Sequence, residues 1–229
     1  MSSTASIRRC SNLPPRLDST LGKRAFDLFV TAGALVLLSP LLLTVALWIK
    51  LDSPGPVFFR QQRVGRFGAL FSIHKFRTMA ADAPTRGLPL TVGDDARVTR
   101  AGTWLRRTRV DELPQLIDVL QGTMSLVGPR PEVPRYAAHW PAALRDRVLA
   151  VRPGITDPTS LAHLDEAAQL AAAADPEREY IERILPAKAK QAADYAEHAT
   201  LATDLGVLWR TACVLLSSAR KARPARAEG

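Results

Sequence analysis

Two adjacent acids, Asp111 and Glu112, stand in a stretch dense with cations: Arg106, Arg107 and Arg109 precede them, and Arg130 follows between two prolines. Further upstream, Lys75 and Arg77 belong to the run Lys75-Phe76-Arg77-Thr78-Met79. Arginine forks match phosphate oxygens two at a time, and a carboxylate among such cations stays ionised at neutral pH. It can then act as a nucleophile without a general base, as in aspartyl-phosphate chemistry. Attack by an anion on an anionic diphosphate needs charge neutralisation, for which Mg²⁺ with a carboxylate and phosphate oxygens is the usual device. A purely structural account of the pair is also available. Leu113, Leu116, Ile117 and Leu120 follow it at the spacing of one buried helical face, acids in a first turn offset the helix dipole, and Thr108 with Asp111 fits a capping box. Taken alone, the pair is explained by capping; the converging cations favour chemistry.

Arg77 has its own plain alternative as a surface ion-pair member. His74, beside a strand of apolar residues, is expected to be packed rather than catalytic. Phe58, Phe59 and Trp104 are expected in the core or at a membrane interface.

The elements that must position these residues begin with a stretch of 22 residues without a charge, Leu28 to Ile49. About 20 apolar residues cross a bilayer as a helix. Ser39-Pro40 sits at the middle, where proline removes a backbone donor and clashes with the preceding turn, and each half is then roughly 16 Å of helix. Both flanks are basic, with Lys23 and Arg24 before and Lys50, Arg60, Arg63 and Arg66 after, whereas Lys and Arg are retained on the cytoplasmic side. A helix that enters, bends at Ser39-Pro40 and leaves on the same face satisfies both observations, with Ser39 bonding a carbonyl that Pro40 frees. A proline-kinked ordinary span is the alternative. A cleaved signal peptide fits poorly, because the run is long, begins late and has Trp48 where a small-residue cleavage site would be expected.

Val57–Arg63 and Leu70–His74 read as two short strands around Val64-Gly65-Arg66-Phe67-Gly68, which predicts a β-hairpin. Residues 81–95 read as a mobile loop, and Arg152-Pro153-Gly154-Ile155-Thr156 as a turn. Asp175-Pro176-Glu177 is a helix start, with Asp as cap and Pro at the first position. Leu201 to Leu216 is apolar with Trp209 and Arg210, and is expected as a surface-lying amphipathic helix or a core helix. The organisation expected is a flexible basic tail over 1–22, a membrane helix over 23–50, a cytoplasmic domain over 51–218 and a basic tail over 219–229.

The net charge is +9 over 229 residues. Nine basic and three acidic residues fall between Met1 and Arg66, so most of the excess lies beside the apolar stretch. That placement suits anionic lipid, each basic group near such a surface being worth about 1 kcal/mol. Nucleic acid would also attract basic charge, but no groove-reading helix, zinc-ligand spacing or aromatic RNA-binding box accompanies it. The two cysteines, Cys10 and Cys213, indicate neither a disulfide framework nor a metal site.

Read in order, Ser39-Pro40 in a lone apolar stretch, Lys75-Phe76-Arg77-Thr78-Met79, Arg106 five residues before Asp111-Glu112-Leu113-Pro114-Gln115-Leu116, Ser125-Leu126-Val127-Gly128-Pro129-Arg130-Pro131-Glu132 and Arg152-Pro153-Gly154-Ile155-Thr156 resemble the bacterial sugar transferase family, the monotopic phosphoglycosyl transferases. The resemblance runs from about Lys23 to Thr156 and is to the short members without an N-terminal multi-span region. It implies an α+β, mostly helical protein on the cytoplasmic face of the bacterial inner membrane, with a re-entrant helix broken at Ser39 and Pro40, a small β-hairpin and surface amphipathic helices. It implies Asp111 as nucleophile and Mg²⁺ contact, Glu112 as its catalytic partner, and Lys75, Arg77, Arg106 and Arg130 as phosphate- or substrate-binding residues. The implied partners are a UDP-sugar, undecaprenyl phosphate and anionic inner-membrane lipids. The implied reaction moves a sugar phosphate to the lipid through an aspartyl phosphosugar and releases UMP. After Thr156 this chain reads Asp157-Pro158-Thr159-Ser160, where many members have Gly, an aromatic and Ala-Gln-Val, so no nucleotide or sugar contacts carry over from that side.

Two rivals remain at this point: a non-catalytic membrane tether binding anionic lipid or nucleic acid, and a single-displacement transferase using Asp111 as base.

Overall fold

The structure is a computed structural model in which residues 21–83, 95–158 and 166–221 are described. Most of the expected mobile loop, along with much of both tails, lies outside these residues. Helix α1 (Leu21–Asp52) leads into an antiparallel hairpin of β1 (Phe58–Val64) and β2 (Leu70–Phe76). Helix α2 (Arg100–Thr108), a 3₁₀ turn (Val110–Glu112) and α3 (Gln115–Gln121) follow, then β3 (Ser125–Val127), α4 (Pro134–Ala137), α5 (Ala142–Val148) and β4 (Gly154–Thr156). The C-terminal part is helical: α6 (Glu166–Ala172), α7 (Pro176–Glu179), a π-helical turn (Tyr180–Ile184), α8 (Leu185–His198) and α9 (Leu201–Lys221).

The apolar stretch forms one helix of 32 residues with Pro40 inside it. Pro40 cannot donate to the carbonyl four residues back, and that carbonyl, on Val36, accepts the Ser39 hydroxyl at 2.8 Å. Thr44 in turn donates to the Pro40 carbonyl at 2.8 Å. Val36, Leu37, Leu41 and Leu43 in the middle of the helix are exposed. Both ends are fastened to one globular body. Near the start, Arg24 donates to the Val119 carbonyl at 2.7 Å. Near the end, Asp52 accepts from the Ala101 amide at 3.1 Å, and Val45 and Ile49 pack with Phe76 and Leu105.

The hairpin register pairs Phe59 with Lys75 and Arg60 with His74. β1 is shifted by one residue from the expected Val57–Arg63, and β2 runs two residues beyond the expected His74. The tip turns through Phe67 and Gly68, both at positive φ, and is tied down by the Phe67 amide on the Leu149 carbonyl at 2.8 Å. The segment expected as a turn after Arg152 instead contributes β4, which pairs in parallel with β3. This contact requires glycine twice. A Cβ on Gly154 would lie 2.1 Å from the Gly128 nitrogen, and one on Gly128 would lie 2.4 Å from the Arg152 carbonyl oxygen.

The helix after the acidic pair differs from its expected phase. Its first turn is 3₁₀, with three residues per turn rather than 3.6, and α3 proper begins at Gln115. Leu116 and Val119 are therefore buried, while Leu120 is exposed. Thr108 donates back to the Trp104 and Leu105 carbonyls, so it does not form the capping box. The start of α7 is as expected: the Asp175 side chain accepts from the Arg178 amide at 3.0 Å and Pro176 takes the first position.

Candidate active site

Asp111 and Glu112 are presented by a backbone that turns sharply. Arg109, the C-cap of α2, sits in the left-handed region at φ 59°, ψ 12°, a conformation that costs a non-glycine residue about 1 kcal/mol. It redirects the chain into the 3₁₀ turn so that both carboxylates face β2. Lys75 on β2 reaches both, with its ammonium 2.9 Å from Asp111 Oδ2 and 3.2 Å from Glu112 Oε1. Arg130, in the loop that leaves β3, donates to the same Glu112 oxygen at 2.6 Å. Both acids are buried. Burial pushes the Glu112 carboxyl up, but Arg130 and Lys75 together outweigh it and hold Glu112 below the usual carboxylate range.

Arg106 completes the cluster. Its Nε donates to the Thr78 hydroxyl at 3.0 Å, and Asp111 is the acid that most strongly favours its charge against the cost of burial. Thr78 can stand there because α2 passes close above it at Gly102, where a Cβ would lie 1.9 Å from the Thr78 carbonyl oxygen. A cleft of about 610 Å³ opens from Lys75 and Arg106 along the start of β1, past Phe59 and Gln61.

Five of the six polar residues singled out in the sequence thus converge: Asp111, Glu112, Lys75, Arg106 and Arg130. Arg77 does not join them as a phosphate ligand. Its buried guanidinium donates to the carbonyls of Pro56 at 2.6 Å, Pro54 at 2.7 Å and Ser53 at 2.8 Å. It clamps the turn after α1, closing against Gly55, whose φ of 124° excludes a side chain.

His74 is packed, as expected. Its Nδ1 lies 2.7 Å from Asp118 Oδ1, and its backbone amide donates to Asp118 Oδ2 at 2.8 Å. The only sequence signal for Asp118 is that it places an acid at the apolar edge of the α3 pattern. In the sequence Asp157 marks only a departure from the family pattern. It is buried and contributes to raising Arg130, chiefly after Glu112.

Asp111 Oδ1 is buried with no hydrogen-bond partner. No group of three or more candidate ligands for a metal occurs among the described residues. A single carboxylate with an unpartnered oxygen fits Mg²⁺, which commonly takes one or two carboxylates and completes its shell with waters and substrate phosphates.

Two buried acids, three nearby cations and a helix long and apolar enough to cross a membrane are thus joined in one body. The bacterial sugar transferase family model matches residues 18–218, and the chain belongs to that family. It is 56% identical over 109 residues to an exopolysaccharide production protein PSS of Rhizobium leguminosarum bv. phaseoli, covering 47% of this chain and 54% of that protein. It is 44% identical over 153 residues to a UDP-glucose:undecaprenyl-phosphate glucose-1-phosphate transferase of Caulobacter vibrioides, covering 62% of this chain and 54% of the relative. It is 43% identical over 145 residues to a UDP-N-acetylgalactosamine-undecaprenyl-phosphate N-acetylgalactosaminephosphotransferase of Aeromonas hydrophila, covering 62% and 34%. The matched stretches thus span about half or less of these relatives.

Proposed function

We propose that the protein transfers a sugar phosphate from a UDP-sugar to undecaprenyl phosphate, releasing UMP, with Asp111 as the nucleophile. The observation that carries this reading is the asymmetry of the Asp111 carboxylate: one oxygen is steadied by Lys75, the other is buried and unpartnered. The neighbouring Glu112 is compensated by Lys75 and Arg130, so the cations still outnumber the acids when a diphosphate enters. In the first step an Asp111 oxygen attacks the β-phosphorus of the donor. The bond from that phosphorus to the bridging oxygen breaks, its electron pair leaves with UMP, and an aspartyl phosphosugar forms. In the second step an oxygen of the lipid phosphate attacks the same phosphorus and the bond to Asp111 breaks, restoring the carboxylate. Lys75, Arg106 and Arg130 orient the phosphate oxygens and offset the charge that accumulates on them. Mg²⁺, which Asp111 would hold, would supply further neutralisation.

The acceptor is a membrane lipid, so the anchor belongs to the mechanism. A re-entrant path for α1 is supported by its two ends, both bound to one body, and by its exposed apolar middle. Drawn straight, 32 residues would extend about 48 Å. Entry and exit on the cytoplasmic face would keep Asp111 near headgroup height and turn a search through solution into a local encounter. Exposed Trp48, Trp104 and Trp209 suit the interface, and the basic flanks suit anionic lipid of the inner membrane.

UMP release from a panel of UDP-sugars, with polyprenyl phosphate present, tests the reading. Asp111→Asn is expected to abolish release while retaining fold and vesicle binding; release that continues unchanged in this variant overturns the nucleophile assignment.

A further inference from the structure

A second polar cluster lies outside the reacting centre, and the chemistry above makes no use of it. Lys23, in the first turn of α1, places its ammonium 3.1 Å from Asp27 Oδ1 and 2.5 Å from Asp204 Oδ2. The other Asp27 oxygen accepts the Ser125 hydroxyl at 2.7 Å, and the other Asp204 oxygen accepts the Tyr195 hydroxyl at 2.5 Å. Lys23, Asp27, Ser125 and Asp204 are each no more than 4% exposed. Burial and Asp204 push the Tyr195 phenol up, so it stays a donor.

Such a cluster is a poor source of stability, because the cost of desolvating ions rivals their mutual attraction. Its geometry suits a register device instead. Ser125 opens β3, and Arg130 follows it by five residues through a loop stitched to β4 by the Gly128 amide on the Thr156 carbonyl at 3.1 Å. Arg24, next to Lys23, bonds the C-terminal end of α3 at the Val119 carbonyl. α3 continues from the turn that carries Asp111 and Glu112. One helical turn of the anchor therefore grips two of the segments from which the site is assembled.

We propose that Lys23, Asp27 and Asp204, acting through Ser125, are positioning residues that lock the membrane anchor to the Arg130 loop and so set the reacting groups at the level of the lipid-borne phosphate. The proposal rests on the lipid-acceptor reading above, and assigns the cluster to the second half of the reaction, in which the membrane substrate takes part. The step with the soluble donor needs no fixed height.

The test compares the wild-type full chain in anionic vesicles with the charge-free variant Lys23→Met/Asp27→Asn/Asp204→Asn, and with Ser125→Ala, which loses only the hydroxyl. Transfer to polyprenyl phosphate is expected to fall about tenfold or more, the order for reacting groups displaced from productive geometry, and clearly further than UMP release in a single turnover without acceptor, a step that Arg130 also serves. Tm is expected to hold, and amide hydrogen exchange to rise between Ser125 and Arg130. Unchanged transfer to lipid overturns the proposal, as does a parallel fall of both half-reactions with Tm. If the triple variant fails to fold, Ser125→Ala decides by the same readouts. If the wild type releases no UMP even with polyprenyl phosphate present, the lipid-acceptor reading fails, and the exchange measurement still judges the lock: exchange that is unchanged between Ser125 and Arg130 refutes it.

Discussion

Replacing Arg77 separates a clamp from a phosphate ligand. Its guanidinium makes three short bonds, of 2.6, 2.7 and 2.8 Å, to carbonyls of the turn that leaves α1. Hydrogen bonds to a charged group contribute about 1.5–3 kcal/mol each. The simple sum is about 4.5–9 kcal/mol, but the accepting turn is itself partly exposed, so water recovers part of each loss at the carbonyls and about 3–4 kcal/mol is the expected net cost. At roughly 2–4 °C per kcal/mol for a chain of this size, Arg77→Met should lower Tm by about 6–16 °C. Arg77→Lys should recover little, because one ammonium cannot reproduce a planar fork aimed at several carbonyls. The assay is thermal unfolding in detergent at one fixed scan rate, alongside KM for the UDP-sugar on the folded fraction. A phosphate ligand would behave in the opposite way. If KM rose tenfold with Tm within a degree or two of wild type, the clamp reasoning would be refuted.

Other expectations follow from the same contacts. Glu112 is held below its ordinary range by Arg130 and Lys75 against the opposing effect of burial. The folded state therefore binds its proton less readily than the unfolded chain, and the pair's stabilisation is complete above about pH 4.3 and fades as pH falls below it. Glu112→Gln should flatten the acid limb of Tm against pH between 5 and 3, and an unchanged limb would contradict the assignment. Gly154→Ala places a Cβ 2.1 Å from a backbone nitrogen and should cost about 2–3 kcal/mol or more by overpacking, read as a lower urea midpoint. Pro40→Ala restores the missing amide donor to the centre of α1. If the re-entrant path is right, cysteine labelling from the two sides should show some molecules converting to a spanning arrangement, and an identical labelling pattern would argue against Pro40 as its determinant.

How far the sequence could be read depended on whether a residue's partners were local. The hairpin, the α7 cap and the gathering of Asp111, Glu112, Lys75 and Arg130 were legible because periodicity, capping chemistry and charge type carry them. Arg77 was not, since the same fork serves phosphate or carbonyl, and only the direction of the Ser53–Pro56 backbone decides. The buried face of α3 shifted to Val119 because a 3₁₀ turn precedes it, a change of pitch that apolar spacing does not announce. β4 was missed because its pairing rests on two glycines, Gly128 and Gly154, that are far apart in sequence. Lys23 reads as part of a basic flank, and Asp27 and Asp204 carry no local signal; their contact spans most of the chain and appears only once α1 and α9 are folded against β3.

The central claim is that Asp111 carries the sugar phosphate covalently. Intact-mass and peptide analysis after incubation with a labelled UDP-sugar, in the absence of lipid acceptor, addresses it most directly. The account predicts a sugar phosphate on the peptide containing Asp111, discharged when polyprenyl phosphate is added. Label that never joins the protein, although product forms once lipid is supplied, would contradict it.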